Sequence, residues 1–324
     1  SEMCIRDRHN AAPASRRQVL QQVFAALKPC PLLERAQAFP LTASSALDRA
    51  FLMERQLMSH QHAEDDGDHG LVVAPGESLS ILVNEEDHVR AAAFRSGIDL
   101  AGAWEALVLL DDELSRRLPL AFDSEFGFVT SCPTNLGTGL RASTLLHLPA
   151  LVLTGRIQAI LESLTRAGLT ARGFYGEGTS SVGDLIQISN THTLGQSEAA
   201  TVKSVEKSVR QILALEAKAA VELMGSDLRT GLEDRIYRAS GTLGTARLLD
   251  YTEGMRCLSL LRFGLRLGLP LDVSPHAVNR LMFLTQPAHL KLRAPKTAAN
   301  ESAVRADLVR ERLRRGGEGG GGRL

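Results

Sequence analysis

The chain has 324 residues, of which 44% are hydrophobic and 23% are charged, so it can bury a sizeable core in one large domain or two smaller ones. Lysine plus arginine and aspartate plus glutamate both total 37, which gives zero net charge and no global electrostatic case for binding nucleic acid or an anionic membrane. No run of about eighteen apolar residues is visible and no charged-then-apolar leader opens the chain, so we expect a cytoplasmic protein with no nucleic acid or membrane partner.

The two ends of the chain do not read as folded structure. The chain does not begin with methionine, and residues 1–8 (SEMCIRDR) show no periodicity. We therefore interpret them as a non-native leader and expect that the natural N-terminus is missing. At the other end, residues 316–322 are glycine except for Glu318, a composition that cannot bury surface, and we predict a disordered tail over 316–324.

Between these ends, apolar spacing predicts helices and strands in a definite order. In chain order they are helices at 16–27 and 46–58, strands at 71–74 and 79–83, a helix at 100–117, a strand at 126–130, a helix at 155–167, strands at 170–175 and 185–189, and a long amphipathic helix at 198–223. Everything after that looks helical. Strands thus precede helices, which indicates the α+β class, and we expect a catalytic domain over 9–230 followed by a helical region over 231–315.

Two short polar segments carry most of the functional information. NEEDHVR (residues 84–90) follows one apolar run, and SCPTNLGTGLRAS (131–143) lies some forty residues later. Arginines recur beside glycine turns or acidic runs at Arg90, Arg141 and Arg172, and a guanidinium fork binds phosphate oxygens in pairs. Carboxylates stand beside them and would repel a nucleotide unless they faced a cationic co-substrate or magnesium. The residues therefore predict a site that binds an anion and a cation together, although the phosphate loop of standard nucleotide-binding proteins is absent from the sequence.

NEEDHVR and CPTNLGTGLRAS closely resemble the signatures of the guanidino kinases, the family of arginine and creatine kinases. RGFYGEGTSSVG (172–183), ISNTHTLGQSE (188–198) and HLPALVLT (147–154) look most like its bacterial protein-arginine kinase branch (McsB type). The resemblance covers about residues 15–314. It implies an antiparallel-rich central sheet flanked by helices, a helical C-terminal part, and transfer of the γ-phosphoryl group of ATP to arginine side chains of proteins.

The resemblance also implies roles for individual residues. Glu86 and Glu177 would clamp the substrate guanidinium, with Glu86 as the proton acceptor and Cys132 placed against the same group. The three arginines named above would bind the phosphates of ATP, and Mg²⁺ would bridge those phosphates. The implied partners are proteins with exposed arginines, a zinc-finger activator and a Clp-type protease, and a homodimer is a further expectation.

Two other functions fit the same residues. One is a phosphagen-type kinase that acts on free arginine, but phosphagen kinases carry a histidine near the adenine where this chain has Leu145. The other is a non-catalytic regulator that binds arginine or a nucleotide. Two departures from the family favour it: the S-x-R-x-R segment, which supplies two phosphate-binding arginines, is not in this chain, and the R-D-x-x-R-A motif of the phosphoarginine pocket is replaced by ESAVRA (301–306).

Several polar residues also have simpler interpretations. We expect Glu85 and Asp87 to orient their neighbours or face solvent, and His88 to be a structural hydrogen-bonding histidine. A histidine and aspartate cluster with H-x-H spacing could suggest a metal site, but we interpret it as a solvated loop. Its members are His60, His62, Asp65, Asp66, Asp68 and His69.

Cys132 could instead be a nucleophile, because neighbouring cations favour a thiolate. No histidine with an asparagine or aspartate partner is indicated by a known local signature, so we favour substrate positioning over covalent catalysis. The other cysteines, Cys4, Cys30 and Cys257, are scattered without CxxC spacing, which predicts neither a disulfide framework nor a zinc site.

Overall fold

The structure is a computed structural model that describes residues 11–64, 67–173, 182–225, 227–293 and 300–316. Two compact units are present. The first contains the described residues up to Thr144 together with Ser189–Lys207, and the second contains Leu145–Ile188 and the described residues from Ser208 onward.

The strands of the described residues form three small sheets, and each pairing with a defined register is antiparallel. β1, β2, β3 and β4 form a meander in that order, β5 and β6 form a short hairpin, and the third sheet has the order β7-β9-β8. The strands are β1 Gln37–Pro40, β2 Gly70–Val73, β3 Leu79–Val83, β4 Val89–Ala93, β5 Phe122–Asp123, β6 Gly127–Phe128, β7 Ser143–His147, β8 Leu169–Gly173 and β9 Leu185–Asn190.

The helices fill most of the chain and dominate its C-terminal part, which confirms the α+β prediction. They are α1 Pro13–Leu27, α2 Ala46–Glu54, α3 His60–Glu64, α4 Leu100–Ser115, α5 Pro149–Leu153, α6 Ile157–Arg166, α7 Glu198–Gly225, α8 Arg229–Thr245, α9 Tyr251–Arg266, α10 Pro275–Leu284, α11 Pro287–Arg293 and α12 Glu301–Gly316. No helix among the described residues is long and apolar enough to cross a membrane.

The core of the first unit lies between its large sheet and two helices. Val19, Val23 and Leu27 recur at four-residue spacing on α1, and they pack with buried residues of β3 and α4. Every residue of β3 is buried, because the strand lies between β2 and β4 and is covered by helices. Each fully buried side chain of this kind contributes about 1.5 to 3 kcal/mol, so β3 is a rigid base for the turn that follows it.

One predicted strand differs from the structure, and one short helix was not predicted, each for a local reason. The strand predicted at 126–130 is part of a hairpin, because the Asp123 carboxylate accepts hydrogen bonds from the Glu125 and Phe126 amides and Gly127 has a positive φ of 75°. The helix predicted at 155–167 is confirmed as α6, whereas the short helix α5 before it was not predicted: it begins at Pro149, a favoured first helical position, and Gly155 at φ 68° separates it from α6.

Candidate active site

The NEEDHVR segment forms the turn between β3 and β4. Val83 pairs with Val89 across the two strands, and the Asn84 amide donates a hydrogen bond to the His88 carbonyl at 3.0 Å. Asn84 has a positive φ of 61°, a conformation that asparagine adopts more readily than most residues. Its side-chain Nδ2 donates to the carbonyls of Arg16 and Asp68, and its Oδ1 lies 2.8 Å from His88 Nδ1. His88 is therefore a buried hydrogen-bonding residue of the turn, as predicted.

Glu85 is buried inside this turn and forms hydrogen bonds with Ser59, Glu86 and Arg90. Its side chain is only 1% exposed, and its carboxylate accepts hydrogen bonds from Ser59 Oγ at 2.5 Å, from the Glu86 amide at 3.0 Å and from Arg90 Nη1 at 2.8 Å. Burial by itself would raise the pKa of Glu85, but the charge of Arg90 and these hydrogen bonds hold the pKa below its ordinary value. The orienting role predicted for this residue is confirmed, and solvent exposure is excluded.

The second motif lies against the first through two carboxylates. Asn135 Nδ2 donates to Glu86 Oε2 at 3.2 Å and approaches Asp87 Oδ2 at 3.5 Å. The Ser131 amide donates to Asp87 Oδ1 at 2.7 Å. Asp87 therefore orients the segment that precedes Cys132, while Glu86 stays half-buried. Glu86 and Asp87 and the residues 131–135, distant in sequence, thus form one polar surface.

Cys132 lies on the segment that Asp87 orients. Its Sγ is 2.9 Å from Thr134 Oγ1, and its carbonyl accepts hydrogen bonds from the Asn135 amide at 3.0 Å and from Thr130 Oγ1 at 2.8 Å. The thiol is partly exposed. The Cys132 thiol therefore lies on the same short segment as Asn135, which binds Glu86, and directly after Ser131.

Arg141 is oriented by Ser189, which lies near the end of β9. Its Nε and Nη2 both donate to Ser189 Oγ, at 3.2 and 3.0 Å, which fixes the plane of the guanidinium while its head stays exposed. The next residue, Asn190, accepts from the Ala142 amide at 2.8 Å and donates to the Leu140 carbonyl at 3.0 Å. The backbone on both sides of Arg141 is thus bound by one side chain.

Thr193 holds the middle of the same motif. Its hydroxyl donates to the carbonyls of Thr134 and Leu136, at 2.9 and 2.7 Å. A side chain at Gly137 would meet the Thr193 carbonyl at 2.4 Å, so only glycine fits at this close approach. Sequence reasoning assigned no role to Ser189, Asn190 or Thr193, although all three lie in the ISNTHTLGQSE run that carries part of the family resemblance.

Of the six predicted site residues, four lie in the first unit. They are Glu86, Arg90, Cys132 and Arg141. Arg172 lies exposed on β8 in the second unit, and Glu177 lies outside the described residues. Within the first unit, the structure brings Glu86 to the Cys132 segment and links Arg90 to Glu85.

The solvated-loop interpretation of the histidine and aspartate cluster is wrong for His62 and His69. Both are 1% exposed, and their rings meet edge to face with centroids 4.7 Å apart. Residues 60–64 form helix α3, whose His62 amide is capped by Ser59 Oγ, and the His69 carbonyl extends the sheet by accepting from the Leu41 amide. Asp65 and Asp66 lie outside the described residues. Within the described ranges, this cluster included, no group of three or more histidine, cysteine, aspartate or glutamate side chains could hold a metal ion.

Comparison with known families agrees with this geometry. The model of the ATP:guanido phosphotransferase C-terminal catalytic domain matches residues 18–219. The chain belongs to the ATP:guanido phosphotransferase family. A second model, the C-terminal domain of the protein-arginine kinase McsB, matches residues 229–319. The resemblance of the two motifs to the guanidino kinases is thereby confirmed.

Similar proteins were found both by sequence and by structure. The chain is 42% identical over 278 residues to a protein-arginine kinase of Syntrophomonas wolfei, covering 85% of this chain and 77% of the relative. It is 41% identical over 282 residues to a protein-arginine kinase of Geobacillus stearothermophilus, covering 86% and 77%. Among solved structures, the duplicated taurocyamine kinase from Schistosoma mansoni with bound transition state analog components matches with a TM-score of 0.59 and 26% identity, over 72% of this chain. This chain spans 36% of that longer one. Lombricine kinase matches at 24% identity with a TM-score of 0.56, over 65% of this chain and 61% of that one, and so shares the fold.

Proposed function

We propose that this protein is an ATP-dependent protein-arginine kinase, a phosphotransferase that moves the γ-phosphoryl group of ATP to the guanidino group of arginine side chains in proteins. The observation that carries the proposal is the polar surface on which Glu86 of the β3–β4 turn meets Asn135 of the Cys132 segment, within a guanidino kinase domain. The match of residues 229–319 to a protein-arginine kinase domain supports proteins, rather than free arginine, as the acceptor.

We assign the six residues as follows. Glu86 and Glu177 clamp the substrate guanidinium, and Cys132 contacts it from the neighbouring segment. Arg90, Arg141 and Arg172 bind the phosphates. The Glu85 and Ser189 contacts support this assignment, because each holds one of these arginines, Arg90 or Arg141, while the arginine stays exposed.

The reaction requires that a proton be removed from the substrate guanidinium. A guanidinium has a pKa above about 12 and no free lone pair on the attacking nitrogen, so it must lose a proton as it attacks. A carboxylate is a weak base for this, and proton loss is therefore concerted with phosphoryl transfer. In that step the N–P bond forms, the bond from the γ-phosphorus to the ADP oxygen breaks, and the nitrogen proton passes to the Glu86 carboxylate. The side chains otherwise hold the two reactants in line.

Mg²⁺ fits this site as an ion bound mainly through the substrate. Mg²⁺ commonly binds through substrate phosphate oxygens and retained waters, together with one or two carboxylates, rather than in a cage built only from protein ligands. When bound, it would neutralise phosphate charge. The three assigned arginines would supply the remaining positive charge.

The resemblance carries further expectations that stay predictions. They are the zinc-finger activator, the Clp-type protease, the homodimer and the cytoplasmic location. We also propose the division into a catalytic domain at 9–230 and a helical region at 231–315.

A direct experiment tests the function. The protein is incubated with ATP, magnesium and an unfolded arginine-rich protein, and mass spectrometry under non-acidic conditions searches for acid-labile phosphoarginine. A parallel reaction contains free arginine instead, and a Glu86→Gln variant is the negative control. Phosphoarginine in the protein substrate supports the proposal. Phosphorylation of free arginine alone would identify a phosphagen-type kinase, and nucleotide binding without any transfer would identify the non-catalytic regulator.

A further inference from the structure

Helix α9 carries two polar side chains that reach residues of the family's catalytic domain. Ser259 and Arg266 are seven residues apart, so they lie on one face of the helix. Ser259 is fully buried, and its hydroxyl donates a hydrogen bond to the Asp184 carboxylate and lies 2.8 Å from His147 Nε2. Because the hydroxyl proton is directed to Asp184, the Ser259 oxygen accepts from His147, which fixes the Nε2–H form of that imidazole.

Arg266 makes the second link. It pairs with Glu216 of α7, whose carboxylate is buried and also accepts hydrogen bonds from the Ala150 and Leu151 amides at 3.0 and 2.9 Å. These amides belong to the first turn of α5 and have no partner within the helix. Asp184, His147 and Glu216 all lie in the stretch that matches the catalytic domain, while Ser259 and Arg266 lie in the stretch that matches the C-terminal domain.

The turn at Val182–Asp184 is packed directly on α9. A side chain at Gly183 would lie 3.1 Å from Met255 Cε and 3.3 Å from the Met255 carbonyl, so the backbone of the turn touches the helix. Asp184 has a positive φ of 55°, which is costly for a residue with a side chain. Its carboxylate bond to Ser259 and its carbonyl bond to the Leu148 amide, 3.0 Å long, hold it in this conformation.

Strand β9 begins at the next residue and lies beside β8, which bears Arg172. We propose that Ser259 is a positioning residue of the kinase: by holding Asp184, helix α9 fixes the start of β9 and, through the neighbouring β8, the place of the phosphate-binding Arg172. This inference rests on the proposed function for the role of Arg172. It makes the helical C-terminal region part of the machinery that binds the nucleotide.

Ser259→Ala in the full chain tests the proposal, with Thr285→Val as the matched control. Both variants delete a fully buried hydroxyl of the C-terminal region, but the Thr285 hydroxyl donates to Leu281 in its own helix. For Ser259→Ala we expect a rise of about tenfold in the KM for ATP and an unchanged KM for the protein substrate, because a small displacement of a phosphate ligand has a large effect. Thr285→Val should stay within about twofold of the wild type for both substrates.

Thermal unfolding of both variants separates positioning from general destabilisation. If Ser259→Ala raises the KM for ATP no more than Thr285→Val does at a similar loss of Tm, the proposal is overturned. Should Ser259→Ala not fold, the nearly isosteric Ser259→Cys replaces it. Its weaker thiol donor should raise the KM by about threefold, and a wild-type KM in that folded variant also overturns the proposal.

Titration calorimetry with ADP and magnesium gives a readout that does not require catalysis. Weaker ADP binding in Ser259→Ala than in Thr285→Val supports the positioning role, even if no phosphoarginine forms in the wild type. Absence of phosphoarginine alone would therefore reject the proposed function and leave this inference to be decided by ADP binding.

Discussion

Arg90 Nη1 donates a hydrogen bond of 2.8 Å to Glu85 Oε1, although the two residues stand at opposite ends of a turn whose centre presents Glu86. The other oxygen of the same carboxylate accepts from the Glu86 amide. One buried carboxylate thus sets the position of both the proposed phosphate ligand and the proposed proton acceptor. The two acidic residues that follow serve the second motif instead, since Glu86 accepts from Asn135 and Asp87 accepts from the Ser131 amide.

Glu85→Gln should therefore impair nucleotide binding. The amide keeps the shape of the side chain but loses the charge that holds Arg90. Since Arg90 is half exposed, solvent screening limits the loss of unfolding free energy to about 1 to 2 kcal/mol. We expect the KM for ATP to rise by about tenfold in steady-state kinetics. Glu77→Gln, which breaks the partly exposed pair between Arg55 and Glu77, should leave the kinetics unchanged.

The pH dependence of stability should reveal the same carboxylate. The folded state lowers the pKa of Glu85, so its contribution is fully present above the unfolded pKa of about 4.3 and is lost as pH falls through the folded pKa. Denaturant unfolding should show a difference between wild type and Glu85→Gln that is constant near neutrality and shrinks below about pH 4.3. A difference that grows in acid would contradict the assignment.

His147 predicts a second pH effect, in a different range. Burial, together with the positive charges of Arg262 and Arg266, lowers the pKa of His147 well below its ordinary value. The neutral imidazole therefore stabilises the fold above the unfolded pKa of about 6.5, and this contribution is lost as pH falls below that value. The unfolding free energy of the wild type should decline from about pH 6.5 towards pH 5 more steeply than that of His147→Gln. Parallel curves for the two proteins would exclude this residue as the cause.

Glu86→Gln tests the proton acceptor. The amide can still accept the Asn135 hydrogen bond but cannot take up a proton, so we expect the turnover rate to fall at least about 100-fold. Stability should change little because the side chain is half-buried and its shape is kept. Glu125→Gln, at an exposed position of the β5–β6 hairpin, is the control. Normal turnover in Glu86→Gln would show that this carboxylate is only structural.

Arg141→Lys tests the phosphate assignment. The ammonium group cannot reproduce the two N–H contacts to Ser189 or a paired phosphate contact, so charge alone should not restore function. We expect the KM for ATP to rise at least about tenfold, measured beside the exposed Arg95→Lys as a control. Near-normal ATP affinity in Arg141→Lys would remove Arg141 from the nucleotide site.

The sequence predicts those parts of the molecule that depend on local patterns. The long helix α7 follows from the spacing of its buried valines and alanines, and the polar segment at 84–90 was located by its position after an apolar strand, although strand β4, which begins at Val89, was not predicted. The α+β class was also predicted from the sequence, and the two polar motifs were recognised in it. Each of these features depends on residues that are neighbours in the chain.

Features that depend on tertiary contacts were not predictable in this way. Ser59 binds Glu85 from 26 positions away, and no pattern in the sequence marks it. His62 and His69 stand among charged residues that suggest a loop, yet a capped helical turn and an extended sheet bury them both. The β5–β6 hairpin was missed because one aspartate side chain reorganises a run that otherwise alternates like a strand.

The link between Glu216 and Arg266 has a practical consequence for dissecting this enzyme into fragments. A polypeptide shortened to end at residue 228 would keep Glu216 but lose its guanidinium partner, and Asp184 would lose the Ser259 hydroxyl at the same time. An uncompensated buried acid is far more damaging than a missing surface pair. Low stability of such a fragment would therefore reflect the loss of these buried polar contacts. Its failure to phosphorylate would not show which part of the chain carries out the chemistry.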